Sequence, residues 1–117
     1  MKKAAIFDLN NTLRKKSGAP RHEILKKAEK DEKKEKVVVL SGETVKDRDE
    51  AKDWLDEHHL KDADLYMRPK HERANDEVEK EKILNKISRQ FKINKAYDDK
   101  YANVKMFKEH GIKAKEV

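Results

Sequence analysis

A short stretch near the N-terminus combines the kinds of side chain that bind phosphate and metal ions. Asp8, Asn10, Asn11 and Thr12 follow directly on the apolar residues 4–7. Carboxylate and amide oxygens bind divalent cations, and a carboxylate can also attack phosphorus as a nucleophile. Polar residues that follow a buried strand lie at its carboxyl end, where open α/β proteins place their ligands. We therefore predict a phosphate or metal site at Asp8.

Polar residues also follow three later segments that are apolar or rich in β-branched side chains. The carboxyl ends of parallel strands lie at one edge of a sheet, so we predict that these residues lie near Asp8. They are Ser41 and Gly42 after residues 37–40, Arg68 after residues 65–67, and Asp98 and Asp99 after residues 93–97.

The elements that must position these residues alternate along the chain. The alternation predicts an α/β fold, a Rossmann-like three-layer α/β/α sandwich whose central parallel sheet has about five strands. Val45, Val78 and Phe91 are predicted to face inward from the second and third helices. The predicted strands are 4–7, 37–40, 65–67, 93–97 and 112–117, and the predicted helices are 20–35, 44–58, 75 or 76 to 91, and 101–110.

Length and composition indicate one folded domain, residues 1–117, with a highly charged surface. Charged residues make up 46% of the chain and hydrophobic residues 35%, but the hydrophobic residues occur in blocks. The net charge of +6 favours a polyanionic partner, although a solvated lysine-rich surface explains it equally well. The chain has no cysteine and no apolar run near the ~20 residues of a membrane span. We expect a cytoplasmic protein without a membrane partner.

Four segments, in order, resemble the motifs of the haloacid dehalogenase (HAD) superfamily of phosphotransferases. FDLNNTL resembles the first motif, an Asp-x-Asp-x-Thr pattern after the first strand, and VVVLSGE resembles the Ser or Thr that ends the second strand. Lys80 in NDEVEKEKIL is similar to the lysine of the third motif, and AYDD resembles the paired acids of the fourth. The resemblance covers essentially the whole chain.

The resemblance implies a catalytic role for several of these residues. Asp8 would be the nucleophile that forms an aspartyl-phosphate, and Thr12 would support the loop around it. Ser41 would donate a hydrogen bond to the phosphoryl oxygens, and Lys80 would offset the charge that builds on them.

The resemblance also implies one Mg²⁺ ion. Its ligands would be the Asp8 carboxylate, the backbone carbonyl of Asn10, and an acid from Asp98 and Asp99.

Two later segments are similar to the phosphatase domain of polynucleotide kinases, which removes 3′-phosphates from nucleic-acid ends. They are DLYMRPKHERANDEVEKEKIL and AYDDKYANVKMFKEHGI. This resemblance implies the strand order 5-4-1-2-3 and substrate contacts from Ser41, Gly42, Arg68 and Arg73. The intervals between elements are too short for a cap domain, so we expect an open site that admits a macromolecular end.

The sequence departs from this resemblance at two positions. Relatives commonly have Arg after the Ser-Gly pair, where this chain has Glu43, so one cation expected near the substrate is missing. The family's second Asp is the general acid and base, but this chain has Asn10, and an amide can transfer no proton. We therefore expect a phosphatase site whose turnover is impaired.

Three functions remain open at this point. The first is a phosphohydrolase that acts on nucleic-acid 3′ ends or on nucleotides. The second is a binding module that recognises phosphate and Mg²⁺ without turnover, and the third is a receiver-like phosphoacceptor domain, which the DLNNTL pattern fits poorly. Expected partners are phosphorylated nucleic-acid ends or nucleotides, with a separate or fused kinase as a further candidate. We expect a monomer or weak oligomer.

Overall fold

Strands and α-helices alternate throughout the computed structural model, which describes residues 1–69 and 74–117. A short 3₁₀ turn, Val45–Asp47, precedes the second α-helix. The elements are β1 (Lys2–Phe7), α1 (His22–Glu32), β2 (Lys36–Thr44), α2 (Arg48–Glu57), β3 (Asp64–Arg68), α3 (Asp76–Ile87), β4 (Phe91–Asp98), α4 (Tyr101–Glu109) and β5 (Lys113–Glu116).

The five strands form one parallel sheet in the order β3-β2-β1-β4-β5. The predicted order is confirmed. β1 is the central strand, and its last residue, Phe7, is in register with Val39 of β2 and Tyr97 of β4. The carboxyl ends of β1, β2 and β4 therefore lie side by side at one edge of the sheet.

Apolar side chains cover both faces of the sheet, because successive residues of a strand point to opposite sides. In β1, Ile6 belongs to one core cluster and Phe7 to the other. The Phe7 cluster includes Leu25 of α1 and Leu55 of α2, whereas the Ile6 cluster includes residues of α3 and α4 such as Leu84. The predicted three-layer sandwich is confirmed.

The second predicted helix was wrong at its beginning. β2 continues to Thr44, and α2 begins only at Arg48, after the 3₁₀ turn. Val45 lies in that turn and is 42% exposed, so it does not belong to the core.

The third predicted helix was wrong at its end. α3 stops at Ile87, and Phe91 begins β4, where it pairs with Lys2 of β1. Sheet pairing thus decides the conformation of Phe91, which helical spacing alone had assigned to α3. Val78 is 40% exposed and does not face the core. The other predicted elements differ from the structure by a few residues at their ends.

Among the described residues, no helix has both the length and the apolar character that crossing a bilayer requires.

Candidate active site

Asp8 lies at the carboxyl end of β1, next to the end of β4. Its backbone N–H donates to the carbonyl of Tyr97 at 2.9 Å, and Thr12 Oγ1 donates to Asp8 Oδ2 at 2.9 Å. Because β1 and β4 are neighbours, Asp98 and Asp99 lie beside Asp8, with one carboxylate oxygen from each of the three within 4.8 Å of the others. The three acids are therefore close enough to share one cation.

Lys80 is the buried cation of this cluster. It lies one turn inside α3, and its side chain is 2% exposed. Its Nζ donates to Asp8 Oδ1 at 2.8 Å and to Asp98 Oδ2 at 2.8 Å, and it lies 3.8 Å from Asp76 Oδ2. One ammonium thus connects the ends of β1 and β4 with the first turn of α3.

The negative charge of the cluster exceeds what Lys80 can neutralise. Burial raises the pKa of the Asp8 carboxyl to about 7; Lys80 opposes this rise, while Asp98 and Asp99 add to it. Burial also disfavours the Lys80 ammonium, yet Asp8, Asp98 and Asp76 together raise its pKa above the usual lysine value. A further cation beside Asp8 would relieve this imbalance.

Two residues that were not predicted as site residues, Asp76 and Asn103, complete the cluster. Asn103 is fully buried, and its Nδ2 donates to Asp76 Oδ2 at 2.8 Å and to Asp98 Oδ2 at 3.1 Å. Burial opposes ionisation of Asp76, but Lys80, Asn103 and Lys100 hold the pKa of its carboxyl below the usual value. Asp76 had a signal in the sequence, because it precedes Lys80 by four residues on one helix face.

Ser41 and Gly42 lie inside β2, which continues to Thr44 with an irregularity in its pairing after Ser41, rather than after the predicted strand end at residue 40. Ser41 is buried, and its Oγ accepts a hydrogen bond from the backbone N–H of Glu43 at 3.1 Å, which leaves the hydroxyl proton free to donate. Gly42 lies against the carboxylate of Asp76, and a Cβ at this position would overlap Asp76 Oδ1. The backbone of β2 therefore approaches α3 closely at this point.

Of the two predicted arginine contacts, the structure describes one. Arg68 ends β3 and donates from Nη2 to the carbonyl of Ala74 at 2.7 Å. Arg73 lies outside the described residues.

Two clefts open beside Asp8. The smaller has a volume of about 190 Å³ and is lined by Asp8, Asn10, Asn11, Gly42, Glu43, Arg68, Asp76, Asp99 and Lys100. The larger has a volume of about 520 Å³ and is lined by Asn10, Asn11, Arg14, Lys15, Lys16, Ser17, Gly18, Glu43 and Glu50. Asn10, Asn11 and Glu43 line both clefts, so the two adjoin.

The Asn10 side chain is held by Glu43 and Arg14. Asn10 Nδ2 donates to Glu43 Oε1 at 2.6 Å, and Arg14 Nε donates to Asn10 Oδ1 at 2.8 Å. Arg14 also pairs with Glu50 at 2.7 Å and lies over the Trp54 ring, with its Cζ 5.6 Å from the ring centroid. Burial opposes the charge of Arg14, but Glu50 and Glu43 raise the pKa of the guanidinium. The sequence analysis did not find Arg14 or Glu50.

A family comparison agrees with the geometry. The whole chain, residues 1–117, matches the family model described as "Polynucleotide kinase PNKP phosphatase domain". The chain belongs to this phosphatase family. The resemblance drawn from the motifs is thereby confirmed, and Asp8, Lys80 and the acids after β4 lie in a phosphatase domain.

Solved structures share the fold of this PNKP phosphatase domain. A chain of the Pnkp1/Rnl/Hen1 RNA repair complex is similar over 100% of this chain and 42% of its own length, with a TM-score of 0.92 and 21% sequence identity. A chain from another structure of the Pnkp1/Rnl/Hen1 complex is similar over 100% of this chain and 46% of its own length, with a TM-score of 0.90 and 22% identity. The present chain thus spans less than half of either relative. A comparison with curated protein sequences found no significant match.

Proposed function

We propose that this domain is a Mg²⁺-dependent phosphohydrolase that removes 3′-phosphates from nucleic-acid ends through an aspartyl-phosphate on Asp8. The observation that carries the proposal is the position of Asp8, a carboxylate that lines a small cleft beside Lys80, Asp98 and Asp99. Membership of a phosphatase-domain family supports the same class of reaction.

The proposed chemistry has two steps, both centred on phosphorus. A carboxylate oxygen of Asp8 attacks phosphorus, the bond to the 3′ oxygen breaks, and this oxygen takes a proton from solvent, because Asn10 has none to give. Water then attacks the phosphorus of the aspartyl-phosphate, which releases inorganic phosphate and restores Asp8. Lys80 and the Ser41 hydroxyl would stabilise the charge on the phosphoryl oxygens during both steps.

The residues around Asp8 fit a magnesium site. We propose that Asp8, the backbone carbonyl of Asn10, and Asp98 or Asp99 hold the ion, since Mg²⁺ prefers oxygen ligands. Burial raises the pKa of Asp8, and Asp98 and Asp99 raise it further although Lys80 lowers it, so a cation bound beside Asp8 would favour the ionised carboxylate. When bound, the ion would reduce the repulsion between a carboxylate nucleophile and a phosphate.

Three observations support a nucleic-acid substrate. The larger cleft adjoins the one at Asp8 and carries Lys15 and Lys16, which could contact phosphates next to the scissile one. The net charge of +6 would attract a polyanion. A similar chain comes from an RNA repair complex. We propose on the same ground that this domain works with partner proteins, including a separate or fused kinase.

A second candidate function is a binding module with little or no turnover, and Asn10 favours it. Both polar ends of the Asn10 amide are engaged by Glu43 and Arg14, and an amide supplies no proton for the leaving oxygen. The absence of this acid and base would slow the reaction by roughly 10²–10⁴-fold. A small-molecule nucleotide phosphatase is the remaining alternative.

Phosphate release from defined substrates tests the proposal. We expect slow Mg²⁺-dependent release from an oligonucleotide with a 3′-phosphate, less release from a 3′-mononucleotide, and none by the Asp8→Asn variant. With an activated aryl phosphate, whose leaving group needs little protonation, intact-mass measurement should detect one phosphoryl group on the unaltered chain and none on Asp8→Asn, since only the former has the nucleophile.

The outcomes separate the candidates. Equal release by the native chain and Asp8→Asn would overturn the role of Asp8. Preferential release from the mononucleotide would favour a nucleotide phosphatase. Tight Mg²⁺-dependent binding of the 3′-phosphorylated oligonucleotide without release would establish the binding module.

A further inference from the structure

Asn10 and Glu43, the two motif positions at which the sequence departs from the resemblance, are in direct contact. Asn10 Nδ2 donates to Glu43 Oε1 at 2.6 Å. Arg14 donates from Nε to Asn10 Oδ1 at 2.8 Å and from Nη2 to Glu43 Oε1 at 3.1 Å. The three side chains form a closed set of hydrogen bonds, which we name the Asn10–Arg14–Glu43 ring.

We propose that the Asn10–Arg14–Glu43 ring is a positioning unit in which Glu43 and Arg14 together require an amide at residue 10. The amide donates to the carboxylate of Glu43 and accepts from the guanidinium of Arg14, whereas an ionised carboxylate at this position would only accept and would leave Glu43 without its donor. The two departures are then one coupled feature of the chain. An acid and base at residue 10 would require a change at residue 43 as well.

A carboxylate at residue 10 would meet one suitable neighbour, Arg14, and one unsuitable neighbour, Glu43. One of its oxygens could still accept from Arg14 Nε, but the other would stand where Nδ2 now lies, 2.6 Å from Glu43 Oε1. Two carboxylate oxygens at this distance repel each other unless a proton is shared between them. Either result would prevent the Asn10→Asp side chain from acting freely as an acid and base.

Arg14 cannot neutralise the repulsion between Glu43 and a carboxylate at residue 10, because its guanidinium is already engaged. It is 7% exposed, and its guanidinium already makes two hydrogen bonds to Glu50, at 2.7 and 2.9 Å. Its Cζ also lies 5.6 Å from the centroid of the Trp54 ring, so the guanidinium is held from a second side. One cation therefore faces Glu43 and Glu50 already, and a third carboxylate would leave two negative charges uncompensated.

The structural half of the proposal is tested by unfolding, without any assumption about activity. The equilibrium stabilities of the native chain, Asn10→Asp, Glu43→Gln and the double variant form a thermodynamic cycle. We expect Asn10→Asp to be less stable than the native chain and Glu43→Gln to restore most of the loss. The coupling should reach about tenfold in the unfolding equilibrium constant.

Glu50→Gln provides the matched control. It removes the same charge from Arg14, but Glu50 makes no hydrogen bond to residue 10. The cycle of Asn10→Asp with Glu50→Gln should therefore show clearly weaker coupling. Equal coupling in both cycles, or additivity in the Glu43 cycle, would overturn the ring as a positioning unit.

The catalytic half rests on the proposed function and is measured with an activated aryl phosphate. We expect Asn10→Asp alone to gain little in kcat, whereas Asn10→Asp with Glu43→Gln should exceed it by at least about tenfold, because the proton-transferring carboxylate is then released.

A full gain from Asn10→Asp alone would contradict the proposal. If no variant turns over while the unfolding cycle shows coupling, the proposed function fails and the ring stands. If the variants turn over with additive effects in both measurements, the ring fails and the proposed function stands.

Discussion

At the scale of single residues, Asp8 determines how the site responds to pH and to cations. A carboxylate is placed where burial and two further acids act against its ionisation, and Lys80 offsets only part of this effect. Such an arrangement costs stability in the folded protein, because the charged form is less favourable there than in the unfolded chain. The same charge makes the cluster suitable for binding a cation.

The first prediction concerns stability against pH. The pKa of Asp8 rises from 3.8 to about 7 on folding, so the folded state binds the proton more tightly than the unfolded state. The stabilising contribution of protonated Asp8 to the free energy of unfolding is therefore fully present below pH 3.8 and is lost as the pH rises to about 7. Urea unfolding without Mg²⁺ should show a stability loss between these values that Asp8→Asn largely removes. Asp76→Asn is the control: the pKa of Asp76 is lowered, so its charge stabilises the fold across this whole range.

The second prediction concerns Mg²⁺ itself. If Asp8 and Asp98 are ligands, the ion must displace protons from the cluster, so it should raise the unfolding temperature more at about pH 8 than at about pH 6. Asp98→Asn should reduce this stabilisation, whereas Asp31→Asn, which alters a buried acid paired with Lys95 on another part of the molecule, should not. Equal stabilisation of both variants would speak against a metal site at Asp98.

At the scale of elements, the site depends on how closely β2 approaches the first turn of α3. Gly42 and Asp76 are in contact there, and Asp76 is held in place by Asn103 at 2.8 Å. Lys80 and Lys100 lie 3.8 and 3.6 Å from the same oxygen, Asp76 Oδ2. The carboxylate therefore cannot move away without loss of these interactions.

Gly42→Ala tests this approach. The new methyl group would overlap the Asp76 carboxylate, so we expect a loss of about 1–3 kcal/mol in stability together with lower phosphatase activity. Urea unfolding measures the first and phosphate release the second. In an Asp76→Ala background the same substitution should cost much less, since the overlapping atoms are gone. An unchanged cost in that background would place the strain elsewhere.

At the scale of the whole molecule, the site lies at one edge of the sheet, and exposed lysines lie both at this edge and at the opposite one. Lys15 and Lys16 line the larger cleft at this edge. Lys33 and Lys34 follow α1 and precede β2, so they lie at the opposite edge, where the strands begin. The two pairs carry the same charge at different distances from Asp8.

Oligonucleotide binding should therefore depend on salt and on the position of the lysines. With about three phosphate contacts, affinity should fall roughly twentyfold between about 50 and 200 mM salt, because each contact releases counterions. Removing Lys15 and Lys16 by substitution with Gln should flatten this dependence, whereas the same change at Lys33 and Lys34 should not. Fluorescence anisotropy with a 3′-phosphorylated single strand measures both. Salt-insensitive binding would favour a mononucleotide substrate.

The sequence by itself determined the architecture and the principal members of the candidate site. Continuous apolar runs such as VVVL are typical of strands buried on both faces, and their alternation with helices predicts a parallel sheet. The strand order, which is confirmed, came from the family resemblance. Asp8, Asp98 and Asp99 could be selected because they end predicted strands, and Lys80 because it matches the third motif of the HAD resemblance. The structure brings these four side chains together.

Only the tertiary structure decided where elements end and which partners hold the site. Phe91 leaves the helical pattern because a neighbouring strand offers it backbone hydrogen bonds, a non-local contribution that residue spacing does not contain. Asn10 and Glu43 are 33 residues apart, and their contact exists only because β1 and β2 end side by side. Asn103 likewise reaches Asp76 and Asp98 only once α3, α4 and β4 have packed. Hydrogen bonds between side chains that are far apart in sequence depend on packing and rotamers, which the local sequence pattern does not specify.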